Sequence, residues 1–226
     1  MKLAYNPGEP SVEHASMKAG QSMTSALGVF AALGLAAALV LAGLDALTEA
    51  RIEAERREHA LRAVSAMLKP GRYNNELLDD TARLPIQGLG EPATVYRARL
   101  DNEPTAAVID VTTSEGYSGD IRLLVAVDPD GKVLGIRILE HRETPGLGDK
   151  IERSKSDWIE QFEGKSLQNP PAQDWAPDRR DGAFDTVTSA TITSAAVIDA
   201  VKRVLRTFES NKKKLFATTE NTENTD

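Results

Sequence analysis

The sequence predicts an α+β chain: one N-terminal transmembrane helix and a stalk helix, then an antiparallel sheet with packed helices. Three observations carry that expectation. From Ala26 to Leu44 every residue is apolar or glycine, a run of 19. Four strand-like runs with short connections lie between Thr94 and Leu139. Asp185 to Val204 then starts dense in hydroxyls and turns apolar at helical spacing.

Composition bounds the chemistry. At 226 residues the chain holds one domain of ordinary size plus appendages. A net charge of −7 argues against a nucleic-acid partner, because no basic face offsets the acidic balance. Cysteine is absent, which removes disulfides, iron–sulfur clusters, thiolate zinc sites and cysteine nucleophiles together. The three histidines, His14, His59 and His141, are scattered, so a histidine metal site or triad is not expected. Chemistry, if there is any, must come from a bound cofactor.

Residues 1–22 are polar and irregular, with Pro7, Gly8 and Pro10, and read as a flexible tail. The apolar run, assigned as a membrane span over 23–46, would be about 28 Å long as a helix, close to the hydrocarbon thickness. A signal peptide would be shorter and followed by a small-x-small site; Leu44-Asp45 stands there instead, so the helix is read as uncleaved. A buried soluble helix is the competing reading. Gly28, Gly34, Gly43 and Ala36 to Ala38 allow close approach of partner helices. Residues 47–70 continue as a charged stalk helix. Glu53 with Arg57 and Glu58 with Arg62 are i,i+4 pairs, a thin stripe runs through Ala54, Leu61, Val64 and Leu68, and Pro70-Gly71 ends it.

A domain is expected over 71–208. It opens with a turn-rich loop over 71–92. Strands are predicted at Thr94–Leu100, Thr105–Thr112, Ile121–Val127 and Val133–Leu139. Asp101-Asn102-Glu103-Pro104 separates the first two, and Asp128-Pro129-Asp130-Gly131 is a tight-turn sequence joining the last two. Connections this short favour antiparallel neighbours in a meander. Ser156 to Phe162 reads as a short helix that sends Trp158, Ile159 and Phe162 to the core, and Asn169 to Asp181 as a loop. Residues 209–226 are low in apolar content and read as a disordered tail.

Three stretches remain that a plain fold does not require. The last helix begins among Thr186, Thr188, Ser189, Thr191, Thr193 and Ser194. A helix start has unpaired N–H groups and the positive end of the dipole, which either a Ser/Thr cap or an anion such as phosphate satisfies. Glu115-Gly116-Tyr117-Ser118-Gly119-Asp120 is either a loop or a place where backbone approaches a flat ring, with Tyr117 to stack or pack. Glu143-Thr144-Pro145-Gly146-Leu147-Gly148-Asp149-Lys150 is a turn that would expose backbone N–H groups and one apolar side chain; Gly-x-Gly alone says little.

Together the three are more specific. Asp185-x-x-Thr188-Ser189-Ala190-Thr191-x-Thr193 resembles the flavinylation motif of the FMN-binding domain family, Asp-x-x-(Ser/Thr)-Gly-Ala-Thr-x-(Ser/Thr). Glu-Thr-Pro-Gly-Leu-Gly, with Gly-Tyr-Ser-Gly upstream and the Thr motif downstream, is similar to the G subunit of Rnf electron-transport complexes and to the related C subunit of sodium-pumping NADH:quinone reductase. Tyr73-Asn74-Asn75 fits the same pattern, and the resemblance covers roughly residues 24 to 208. It implies an FMN-binding domain with FMN joined to Thr191 by a phosphoester. It further implies that Asp185, Thr188, Ser189, Ala190 and Thr193, together with Glu143, Thr144, Gly146, Leu147, Gly148, Lys150, Gly116, Tyr117, Ser118 and Gly119, surround the cofactor. One residue departs from the family: Ser189 stands where glycine is usual, and Ser is strained there if the position needs a positive φ.

The resemblance also implies a role: a relay subunit in a membrane complex that couples NADH–ferredoxin electron transfer to ion movement. Its partners would be other Rnf-type membrane subunits, and an FMN transferase using FAD would load it. Location follows from the same source: bacterial inner membrane, single-pass, with the N-terminal tail cytoplasmic and the C-terminal domain periplasmic. Charge bias alone points the other way, since Lys2 and Lys18 precede the span while Arg51, Arg56, Arg57 and Arg62 follow it. Two other functions compete: a membrane-anchored flavodomain of another respiratory or sensory system, and a tethered binding protein without flavin whose hydroxyls are plain caps.

Overall fold

The computed structural model describes residues 34–35, 55 and 57–217. The expected tail over 1–22 and nearly all of the membrane span lie outside these residues, as does the chain beyond Ala217; Gly34 and Leu35 are helical. Among the described residues no helix is long and apolar enough to cross a membrane. The chain divides into two units, Met1–Arg56 and Arg57–Asp226, and the second holds the sheet and the long C-terminal helix.

Five strands form one antiparallel meander in the order β1 (Thr81–Leu84), β2 (Ala93–Leu100), β3 (Glu103–Thr113), β4 (Ile121–Val127) and β5 (Val133–Glu140). Four of these are the expected strands, with ends displaced by a residue or two. The fifth, β1, falls inside the stretch expected to be loop. It carries little alternation of its own, and its pairing of Thr81 to Leu84 against Tyr96 to Ala93 is what makes it a strand. The β2–β3 hairpin turns on Asp101 and Asn102, both left-handed at φ 52° and 68°. Asp and Asn tolerate that region better than other side chains, so this pair suits a tight hairpin.

The sheet is covered on both faces, which explains why β3 and β4 read as nearly continuous apolar runs. Ala107, Ile109, Leu123, Val125 and Val127 face the larger core, beneath the long C-terminal helix α2 (Thr191–Phe216). Ala106, Val108, Leu124 and Ala126 face the opposite way, against Val64, Leu68 and Leu77. Val64 sits on helix α1 (residues 57–65), so the charged stalk ends by packing on the domain. The α2 stripe of Val197, Val201, Val204, Leu205 and Phe208 is fully buried. Phe162 and Phe184 stack with ring centroids 4.9 Å apart, and Trp175 joins them at 4.6 Å from Phe184. The loop before α2 is thereby anchored by its aromatics.

One boundary needs correction. The last helix does not give way to a tail after Phe208; it continues to Phe216. Leu215 is buried, Phe216 packs edge-on against Phe208, and Arg97 and Arg99 of β2 donate to the carbonyl oxygens of Leu215 and Phe216. These tertiary contacts hold a polar sequence helical. The expected short helix is a 3-10 helix, Asp157–Phe162, capped by Ser156.

Candidate functional site

Through Glu143, which bonds Ser118 and Thr193, the three motifs meet near the start of α2. Asp185 is clamped before it: the Trp158 indole N–H donates to its carbonyl at 2.6 Å, and its own N–H donates to Gln161 at 2.8 Å. Val187 is buried as an anchor. Ser189 then takes φ 69°, the left-handed conformation that favours glycine. Ala190 is the N-cap residue and offers no side-chain oxygen to the first turn. The helix thus opens with its first N–H donors uncapped by its own N-cap residue.

The six hydroxyls differ in what they do. Ser194 donates to the Ala190 carbonyl at 2.9 Å and accepts from the Val187 N–H at 3.0 Å. Thr193 is buried and donates to Glu143 Oε2 at 2.6 Å. Thr186 donates to Asp178, and that hydrogen bond holds the Asp178 carboxyl below its ordinary value. Thr188, Ser189 and Thr191 make no hydrogen bond through their hydroxyls to the described residues. Thr188 and Ser189 are exposed, whereas Thr191 is half-buried on the first turn of the helix itself.

Glu143 is the junction of the site. It is 4% exposed, although carboxyl groups are seldom buried. Oε1 accepts from the Ser118 N–H at 3.0 Å while Oε2 takes the Thr193 hydroxyl, so one side chain joins all three sequence motifs. Its own N–H donates to His141 Nδ1 at 3.0 Å. That bond leaves the ring proton on Nε2, which lies 2.8 Å from Glu152 Oε1. The hydrogen bond from His141 is the main reason the Glu152 carboxyl lies below its ordinary value.

The glycine loop differs from expectation in one respect. Its amides are not all presented outward: the N–H groups of Leu147, Gly148 and Asp149 converge on the Thr144 carbonyl at 3.1, 3.0 and 3.4 Å. The tight turn this makes needs Gly146 at φ 79°. What the loop does present is Leu147, 44% exposed. Tyr117 at 69% and Ile192 at 50% are exposed on the other two motifs. Large apolar side chains left in water are informative, and here each of the three motifs carries one. Lys150 is half-buried, its carbonyl accepting from Ser156 at 2.6 Å.

Two contributors were not singled out in the sequence. Arg203 on α2 donates to the Gly88 carbonyl and to Glu115, both at 2.8 Å, and pairs with Asp199 at 2.6 Å. It ties the Gly116 loop to the helix, and the Asp199–Arg203 spacing on a helix was the available cue. It also lines a groove of about 460 Å³ that runs along α2 from Ile192 past Lys202, with Trp175 and Arg180 opposite. The second is Asp149, buried, with Oδ1 lacking any hydrogen-bond partner. Among the described residues, no cluster of three metal-ligating side chains occurs.

Comparisons with known proteins bear on the same stretch of chain. Residues 116–206, from the first glycine loop into α2, match the model of the FMN-binding domain family. The chain is 43% identical over 173 residues to the G subunit of the ion-translocating oxidoreductase complex of Pseudomonas aeruginosa strain UCBPP-PA14, covering 75% of this chain and 81% of that protein. It is 45% identical over 163 residues to the protein of the same name from Salmonella typhimurium, covering 71% and 78%. The corresponding protein of Escherichia coli O157:H7 is 49% identical over 139 residues, covering 61% and 67%.

Proposed function

The chain belongs to the family of ion-translocating oxidoreductase complex G subunits, and from that premise we propose that it is a relay that carries FMN covalently on Thr191 and passes electrons within a membrane-bound, ion-translocating complex. The observation that carries the reading is Thr191 itself: half-buried, its hydroxyl free of hydrogen bonds to the described residues, on the first turn of a 26-residue helix whose N-cap residue supplies no cap. A phosphodiester there would sit beside free N–H donors and the positive end of the helix dipole.

The residues present fit an isoalloxazine and its ribityl chain. Tyr117, Leu147 and Ile192 supply apolar surface for a wide ring. Asp149 Oδ1, buried and unpartnered, suits a donor such as a ribityl hydroxyl or the ring N–H. Bound FMN would supply the capacity to take up and release electrons at a fixed place. The chain's own part is to hold that place, to keep water from one face of the ring, and to set the electrostatics through the helix end and the buried carboxyls. Loading requires a separate FMN transferase: the Thr191 oxygen bonds to the FMN-side phosphorus of FAD, the pyrophosphate bond breaks, AMP leaves, and the hydroxyl proton passes to the transferase.

The apolar run Ala26–Leu44 serves in this reading as the single inner-membrane span, with the domain periplasmic and the other subunits of the complex alongside. Covalent attachment then has a plain purpose, because FMN lost outside the cytoplasm is not readily replaced. The test is ultraviolet fluorescence of the denatured band after expression with and without the transferase. A fluorescent band that Thr191→Ala abolishes is expected. A dark band in the presence of the transferase would overturn the covalent reading.

A further inference from the structure

Gly148 is cleared for a protein side chain, and Gly116 for the backbone of its own loop and for that same side chain. A methyl group on Gly148 would lie 2.8 Å from Glu143 Cβ and 3.0 Å from Glu143 Oε2, and one on Gly116 would meet the Gly119 carbonyl oxygen first and lie 2.8 Å from Glu143 Oε1. Both glycine loops therefore close around the Glu143 carboxyl, and both of its oxygens are already used, by Ser118 and by Thr193. At 4% exposure it offers little surface to a ligand.

Thr193 is the third residue of α2, in the first turn, whose backbone N–H groups have no partner within the helix. The local sequence does little to hold that turn. Ala190 gives no side-chain cap, Ser189 sits in the left-handed region, and Thr191, Ile192 and Thr193 are three successive β-branched residues in the first turn. Left to itself such a turn frays. The tie across 50 residues to Glu143 satisfies none of the free N–H groups, but it pins the first turn from outside the helix and fixes its distance to both loops.

We infer that Glu143 is a positioning residue: its buried carboxyl, held between the Ser118 N–H and the Thr193 hydroxyl, sets the first turn of α2 and both glycine loops in the arrangement that presents Thr191 for modification. The inference rests on Thr191 as the FMN acceptor for its functional consequence, but the tie itself exists in the chain without flavin. Glutamine preserves the tie, because its oxygen accepts from Ser118 while its NH₂ donates to Thr193 Oγ1. Alanine removes it.

The test has two arms, on Glu143→Ala, Glu143→Gln and Thr193→Val in the full chain. The first arm is amide hydrogen exchange on protein made without the transferase. Glu143→Ala is expected to raise exchange at 116–119, at 146–149 and in the first turn of α2, Thr193→Val in the α2 turn, and Glu143→Gln at none of them. The second arm is the rate of FMN loading by intact mass. A loss on the order of ten- to a hundred-fold is expected for Glu143→Ala, since small misplacement of a reacting group costs that much, with Glu143→Gln close to wild type. Unchanged exchange in the alanine variant overturns the inference, and so does lost loading with unchanged exchange, which would make Glu143 a direct contact of the reacting groups. Should Glu143→Ala not fold, Thr193→Val decides by the same criteria. A wild-type chain that never loads would sink the covalent reading and leave the exchange arm to judge the tie.

Discussion

The two ends of α2 are built on opposite plans. At the C-terminal end the last two helical carbonyls each find a guanidinium donor. Arg97 and Arg99 donate to the Leu215 and Phe216 oxygens, both guanidiniums are held by Asp80 at 2.5 and 2.8 Å, and Lys213 and Lys214 oppose the dipole in the last turn. At the N-terminal end the cap residue is an alanine, the residue before it is strained, and the tie comes from a distant glutamate. One end is closed by cations. The other leaves its first N–H donors uncapped by the N-cap residue and the Thr191 hydroxyl without a partner among the described residues. A helix end left incomplete by its own sequence but fixed by its surroundings is what a site for an anionic group requires.

Replacing residues at each end should therefore have separate consequences. Thr191→Ala has the largest expected effect: complete loss of the flavin adduct by fluorescence or mass, with a thermal midpoint close to wild type because the hydroxyl has no partner among the described residues. At the other end, Asp80→Asn removes the charge that two largely buried guanidiniums face. It should cost about 3 kcal/mol in urea unfolding, the scale for breaking a buried pair by removing one partner, while flavin loading of the folded fraction stays unchanged. If Asp80→Asn abolished loading at full stability, the two ends would not be separable.

Two smaller effects sharpen the contrast. Ser189→Gly relieves a left-handed serine at φ 69° but adds freedom to the unfolded chain, and the balance should be a gain of about 0.5 kcal/mol. Denaturant midpoints measure it, and a loss instead would mean that the serine side chain contributes something its geometry does not reveal. The smallest effect concerns pH. Glu152, held below its ordinary value of 4.5 chiefly by the hydrogen bond from His141, contributes stability that is fully present above that value. It is lost as pH falls through the lowered folded value. Glu152→Gln should therefore lower stability slightly at neutral pH and converge with wild type at acid pH, flattening the acid limb, as unfolding across pH 3 to 7 would measure.

How much of this was legible in the sequence depends on whether the cue was local. The Asp-Asn and Asp-Pro-Asp-Gly turns fix two hairpins within a few residues, so the strands they join could be placed closely. Strand β1 could not, because Thr81–Leu84 becomes a strand only by pairing with β2. Nor could the extension of α2 to Phe216, which depends on arginines more than a hundred residues earlier. Tyr73-Asn74-Asn75 belongs to the same class. Asn75 accepts from the Arg99 N–H at 2.8 Å and donates to the Arg97 carbonyl at 2.9 Å, continuing the edge of β2 where β1 stops.

In the site, the strain expected at Ser189 under a positive φ was readable because it concerns a single backbone angle. Glu143 was marked in the sequence as part of a loop motif, yet nothing local says that its carboxyl is buried or that it meets Thr193. The glycine loops were expected to expose N–H groups, and three of those amides turned inward to Thr144. Residue type named the loops. Only the fold assigned the atoms.

The most direct measurement is intact mass followed by peptide mapping of the full chain, made in cells that contain an FMN transferase. The account predicts a single FMN attached with loss of water, on the peptide that contains Thr191. An unmodified mass, or an adduct on any other hydroxyl of the 186–194 stretch, would contradict it.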